Sequence, residues 1–240
     1  LYQRPPCRTV NIARMLTQLR RTTPRSLILA CALSLVAAFF AVRYPDIQGS
    51  SLGSYVSTLL IALPSAVALF RYLGPRRGTL SLLAISILAY AIEAIGVTTG
   101  LPYGTFYYGD ALGPRLVGIV PYLLPLSYAP LVVGAVAVAW GTRLRLLHVV
   151  HATLLLVWID AVLDPGAASL GFWVWPQGGV YYGVPLSNYA GWLLSGALAT
   201  SLLLTTGRWS ETPRPALLDS ATIATSFWTG VAVLSSLVAP

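Results

Sequence analysis

Three carboxyl side chains stand inside or at the end of strongly apolar stretches of the chain: Glu93, Asp160 and Asp164. An ionised acid near the middle of a bilayer costs about 2.5 to 3.5 kcal/mol on insertion scales, so a membrane chain keeps one where it has a task. Glu93 lies about one helical turn before the polar exit Thr98-Thr99-Gly100, and Asp160 one turn before Asp164-Pro165. At ~1.5 Å per residue both carboxyls are expected at one depth, roughly 5 to 7 Å inside the outer boundary, where much of their hydration is lost. Two dehydrated carboxyls that share a site hold one proton between them in preference to two charges, which sets a general acid beside a general base.

Asp160 and Asp164 are spaced i, i+4 and share a helix face, but Asp164 precedes a proline, which favours leaving the helix there. Asp164 is therefore expected to end its helix as readily as to do chemistry, and Asp164→Asn to be the mildest of the three amide substitutions. His148 and His151 are the only histidines. His151 is nine residues from Asp160, about 13 Å along the axis and on another face, so the two cannot share a site. Interfacial placement is the expectation for both histidines. With no His or Cys cluster, no P-loop, no GxGxxG and no HExxH, the chain lacks the means for di-iron oxygen chemistry, a Ser-His-Asp triad or nucleotide binding. Carboxylates, Tyr, Asn and water have to carry any reaction.

The elements that must position these groups are membrane helices. The 240 residues are 56% hydrophobic and 9% charged, with a mean hydropathy of +0.74, outside the range of a soluble globular domain. All 15 basic residues are Arg, gathered in clusters, so the net charge of +8 speaks to topology and lipid headgroups and not to nucleic acid. Cys7 and Cys31 allow neither a disulfide framework nor a metal site. Apolar runs long enough to cross ~30 Å fall near 26–42, 52–73, 79–97, 116–140, 146–163, 186–206 and 216–239. This predicts an all-α integral membrane bundle of seven helices, with six or eight as alternatives because Pro121, Pro125 and Pro130 make the fourth run start late or kink.

Under seven spans thirteen Arg fall on one side, while Arg43 and Arg115 alone fall on the other. The positive-inside rule then places the N-terminus in the cytoplasm and the long loops 98–115 and 164–185 outside, in a multi-pass protein of the cell membrane. Residues 1–25 are read as an Arg-rich segment preceding a single transmembrane domain over 26–240. Ile12, Met15, Leu16 and Leu19 share one face of an interfacial amphipathic helix there. The segment lacks the apolar core of a secretory signal, and since the chain begins with Leu1 a longer natural start is expected.

The two outer loops and the helix beyond them supply Tyr103, Phe106, Tyr107, Tyr108, Trp173, Trp175, Tyr181, Tyr182 and Trp192. One reading is an aromatic belt at the interface. The other is a partly dry, aromatic-walled pocket for a long apolar ligand, whose π faces stabilise a developing positive charge. Tyr107-Tyr108-Gly109 with Pro125-Leu126-Ser127 is echoed by Tyr181-Tyr182-Gly183 with Pro185-Leu186-Ser187, a faint sign of a duplicated helix pair.

Several segments carry a resemblance. Glu93-Ala-Ile-Gly-Val-Thr-Thr-Gly-Leu-Pro-Tyr-Gly-Thr-Phe-Tyr-Tyr, Leu112-Gly-Pro-Arg-Leu-Val-Gly-Ile-Val-Pro, Asp160-Ala-Val-Leu-Asp-Pro and Gly179-Val-Tyr-Tyr-Gly-Val-Pro-Leu-Ser-Asn-Tyr-Ala-Gly-Trp resemble the integral-membrane carotenoid biosynthesis family of CruF-type carotenoid 1,2-hydratases and bisanhydrobacterioruberin hydratases. The resemblance covers residues 90–195; outside them it is one of hydropathy only. It implies addition of water to the terminal 1,2 double bond of an acyclic carotenoid, with no cofactor, in contact with membrane lipids, and in a homo-oligomer or association with other carotenoid enzymes. Under that reading Glu93 or Asp160 is the acid and the other, with Asp164, the base; the order of the first two stays open. Asn188, Tyr108 and Tyr182 are then polar groups of the pocket, and Tyr103, Tyr107, Trp173, Trp175 and Tyr181 its walls.

Three rival readings use the same residues. A carotenoid cyclase also begins by protonating an end-group alkene. A prenyltransferase would use Asp160 and Asp164 for a diphosphate and its metal, but loop 164–185 has no Arg to hold phosphate. A transporter or channel would use Glu93 and Asp160 as relay groups, yet it needs access from both faces while the polar and aromatic residues crowd toward one.

Overall fold

The computed structural model describes residues 25–44, 50–139, 144–207, 209 and 215–238. Cys7 and the expected amphipathic helix before residue 25 lie outside them. Seven α-helices are described: α1 (Arg25–Arg43), α2 (Ser50–Leu73), α3 (Pro75–Thr99), α4 (Leu124–Val138), α5 (Arg145–Ser169), α6 (Leu186–Thr206) and α7 (Pro215–Val238). Each apolar run of the sequence becomes one of them. The helices α2, α3, α5 and α7 are long and apolar enough to cross a membrane, and α1 and α4 contribute shorter apolar segments.

The bundle is apolar outside and partly polar inside. Ile28, Leu29, Leu80, Ile87, Leu154 and Trp158 are exposed on the outer faces, whereas Ser81, Thr153, Asp160, Asp164, Asn188 and Thr200 are buried. Lipid tails satisfy such outer faces, and the polar groups find partners inside the bundle, within their own helix as Ser81 and Thr200 do or across helices as Asn188 does. At the centre stands α4, which packs against α2, α3, α5, α6 and α7 and buries Pro125 and every residue from Tyr128 to Ala137. A Cβ on Gly134 would stand 2.6 Å from that of Ala221, so a glycine there lets α4 approach α7 closely.

The prolines of the fourth run delay its helix as expected, whereas the expected end at Asp164 needs correction. The run 116–140 is helical only from Leu124. Before it, β2 (Arg115–Leu116) and β3 (Val120–Pro121) form an antiparallel hairpin, across a turn in which Val117 and Gly118 adopt positive φ. Pro121 has no N–H to donate and biases Val120 to an extended conformation, which holds helix formation back. The correction concerns Asp164-Pro165: α5 runs through Pro165 to Ser169, so Asp164 does not end its helix. In a membrane bundle a broken helix leaves backbone groups unsatisfied, and here the segment is held from both sides. Asp164 accepts a hydrogen bond from Asn188, and Gly166 sits against Val231 and Ala232 of α7.

The two long loops meet at one end of the bundle. β1 (Tyr107–Tyr108) pairs antiparallel with β4 (Trp173–Val174). Gly109 N–H donates to the Phe172 carbonyl at 2.9 Å, and any side chain on Gly109 would collide with the Gly171 carbonyl. The loops therefore form one cap over the ends of α3 and α5.

Candidate active site

Glu93 projects from α3, Asp160 and Asp164 from α5, and Asn188 from the first turn of α6. The i, i+4 spacing sets the two aspartates on one face, and the single Asn188 amide spans them. Its Nδ2 donates to Asp160 Oδ2 at 3.0 Å and also to Asp164 Oδ2. Both aspartates are buried, and Asp160 Oδ1 has no hydrogen-bond partner. An ionised oxygen left so is costly, and a proton held between the two carboxyls relieves the repulsion of like charges. On the opposite wall Tyr108 Oη donates to Glu93 Oε2 at 2.6 Å.

These groups surround a small cavity of about 60 Å³, whose wall includes Glu93, Asp164, Asn188, Tyr103, Phe106, Tyr128, Trp173, Trp175, Trp192 and Trp228. Glu93 and Asp164 thus face one space. Asp160 does not reach it; wholly buried, it stands behind Asp164. Because α5 continues past Pro165, Asp160 is farther from the end of its helix than the Asp-Pro dipeptide implied. At ~1.5 Å per residue Glu93 lies about 9 Å before the end of its helix, Asp160 about 13 Å and Asp164 about 7 Å. Asp164 is the aspartate that shares the cavity wall with Glu93.

Tyr103 is held by its surroundings on every side. A Cβ on Gly96 of α3 would stand 2.9 Å from its ring, and a side chain on Gly191 of α6 would also strike it, so two glycines open the slot the ring fills. Its carbonyl accepts from Trp175 Nε1 and from Ser187 Oγ, each at 3.3 Å. Burial and the neighbouring Glu93 carboxyl push the Tyr103 and Tyr108 phenols well above the usual range. Both remain neutral hydroxyls, able to donate to an acid or a substrate oxygen.

The expected wall is only partly assembled. Tyr103, Trp173 and Trp175 line the cavity, and Tyr108 braces Glu93 from behind. Tyr107, Tyr181 and Tyr182 are exposed and line no part of it. Tyr107 follows from strand alternation: Tyr108 turns inward, so its neighbour turns out. Tyr181 and Tyr182 lie on a turn closed by pairing of Tyr181 with Val184, with Tyr182 at φ 50° and the two rings edge to face at 4.9 Å. One Tyr-Tyr-Gly is a strand and the other a turn, so that half of the echo is not one of structure, while Pro125-Leu126-Ser127 and Pro185-Leu186-Ser187 both lie at helix starts. The sequence reading missed Tyr128, whose hydroxyl donates to the Ser195 carbonyl at 3.3 Å, Ser127 and Trp228. Their only signal was a polar or aromatic residue within an aliphatic run.

The histidines sit apart from this centre. His148 is buried with Nε2 at 2.9 Å from the Val136 carbonyl, near the other end of α4, and His151 is exposed. Among the described residues no three His, Cys, Asp or Glu side chains are arranged to hold a metal ion.

Residues 53–240, from α2 onward and including every group of the site, match the family of carotenoid biosynthesis proteins. The chain belongs to that family. It is also 40% identical over 204 residues to the bisanhydrobacterioruberin hydratase of Haloarcula japonica, a match that spans 81% of this chain and 67% of that protein. No solved structure matches the chain significantly. The three carboxyls, Asn188 and the capping loops all fall within the matched residues.

Proposed function

We propose that the protein is a carotenoid hydratase that adds water across the terminal 1,2 double bond of an acyclic end group. The observation that carries this reading is the placement of Glu93 and Asp164 on one small cavity walled by aromatic rings. The hydratase name of the Haloarcula japonica relative supports the same chemistry.

The reaction needs a proton at C2, a stabilised tertiary cation at C1, and water. One carboxyl of the Glu93/Asp164 pair gives its proton to C2 as the π electrons form the new C–H bond. The cation at C1 is then faced by Trp and Tyr rings and by the other, ionised carboxylate. Water attacks C1, and the proton it releases returns to the carboxyl pair, so the site is restored and the product gains one tertiary hydroxyl. A water occupies at least about 10 to 15 Å³ of such a cavity, so about 60 Å³ admits the water beside the tip of an end group. Tyr103 and Tyr128 supply hydroxyls at this wall. Asn188 fixes the aspartates, and Asp160 behind Asp164 is the partner through which a proton is held in reserve.

The Arg distribution supports a multi-pass protein of the cell membrane with the N-terminus in the cytoplasm and the site near the outer face. The test of the activity is pigment analysis after expression in cells that accumulate lycopene. The reading expects a product heavier by one water per modified end. An isomer of unchanged mass with a ring would assign the chain to the cyclases, and unchanged lycopene with folded protein present in the membrane would overturn both.

A further inference from the structure

A second, larger cavity adjoins the first. It has a volume of about 330 Å³, runs between α1, α2 and α7 under the capping loops, and is lined largely by apolar side chains. Leu124, Ser127, Trp173 and Trp228 belong to the walls of both cavities. Tyr108, whose hydroxyl reaches Glu93, also lines the larger one. Away from this threshold the groove extends to Phe40 and Val56, which are exposed on the outer faces of α1 and α2. The space therefore leads from the lipid-facing surface to the carboxyl pocket.

Resting on the hydratase reading, we infer that this groove is the binding track of the polyene: the substrate enters sideways from the lipid between α1 and α2, and its end group passes Trp173 and Trp228 to reach Glu93 and Asp164. Three features select this occupant. The lining is apolar and open to lipid, where a carotenoid is dissolved. The volume lies in the range of about 300 to 1,000 Å³ typical of small-molecule sites, whereas the carboxyl pocket admits only a chain tip. Continuity through four shared residues makes a linear molecule, anchored at one end, the shape that fills both. From Gly53 to Ile61, both on the groove wall, α2 rises ~12 Å. The track thus holds only the part of the polyene next to the reacting end, and the rest stays in the bilayer. The enzyme accordingly reads the end group and its nearest units and is indifferent to the far end, so both ends of one carotenoid are hydrated in separate visits.

Gly53 offers the test. A Cβ there meets nothing within 4 Å, so Gly53→Trp fills the groove without displacing backbone. Wild type and variant are assayed, at matched membrane content, on lycopene and on a ten-carbon alkene with the same dimethyl-substituted terminus. The expected result is a fall in the lycopene-to-short-alkene rate ratio of about tenfold or more in the variant. Polyene absorbance retained by the purified protein is read as well, and Gly53→Trp should lose it while Glu93→Gln keeps it. An unchanged ratio, or, where the short alkene is not turned over, undiminished polyene retention, overturns the groove. Polyene retention that responds to Gly53→Trp in a protein that hydrates neither alkene would sink the hydratase reading and leave the groove standing.

Discussion

Tyr108 and Glu93 are joined by a 2.6 Å hydrogen bond that ties the capping loops to a membrane helix. The donor is a neutral phenol held on β1, and the acceptor faces the cavity. The orientation of the Glu93 carboxyl thus depends on a loop that takes its shape by pairing with β4.

Tyr108→Phe should keep the fold and lower hydration by about 10- to 100-fold, the rate equivalent of a hydrogen bond to a charged group. Since the phenol acts through Glu93, the double variant with Glu93→Gln should be no slower than Glu93→Gln alone. Rates that multiply in the double variant would separate Tyr108 from the acid.

Glu93→Gln and Asp164→Asn should each lower the rate by about 10²- to 10⁴-fold while polyene binding persists. This reverses the order expected from the Asp-Pro dipeptide, which made Asp164 the mildest position. Asp160→Asn, behind the wall, should cost less than either. The assay is the ratio of hydrated to unhydrated carotenoid at equal protein level, and near wild-type rates in both Glu93→Gln and Asp164→Asn would remove the pair from the reaction.

Asn188→Leu conserves volume but removes the donor shared by Asp160 and Asp164. Leaving buried acceptors unpaired should destabilise the detergent-solubilised protein by about 1 to 3 kcal/mol, read as a lower thermal midpoint. Adding Asp164→Asn, which replaces one carboxyl by an amide able to donate to the other, should recover part of that loss.

Cysteines placed at Thr105 or Gln177, both exposed on the capping loops, should react with an impermeant thiol reagent from outside the cell in a background without Cys7 and Cys31. A cysteine at Arg76, exposed at the other end of α3, should react only after lysis. The opposite pattern would invert the orientation and place the site at the cytoplasmic face.

The helices were legible because an apolar run of fixed length has one low-energy form in lipid. Their ends were less so. Asp164-Pro165 carries a local stop signal, yet Asn188 and α7 hold that segment helical, and no reading of neighbours in sequence contains those contacts. Glu93, Asp160 and Asn188 stood out as polar groups in apolar surroundings, whereas Trp228 and Tyr128 were hidden among other apolar residues of helices whose inner face cannot be fixed from one strand of text. Tyr181 and Tyr182 misled for the converse reason. Their composition matched a pocket wall, and only the turn at Tyr182 directs them outward.

The enclosure of α4 has a consequence for how the protein is made. At 15 residues it rises only ~22 Å, less than the ~30 Å hydrocarbon core, and its neighbours bury most of its residues. A helix of this kind gains little from being left alone in the bilayer during synthesis. It takes its final place only once α5, α6 and α7 have been made and can close around it. Because Leu124 and Ser127 of this helix form the threshold between the two cavities, and Trp228 of α7 lines both, the passage to the carboxyls does not exist until α7 arrives, and premature termination before α7 should yield protein that reaches the membrane without ever acquiring a site.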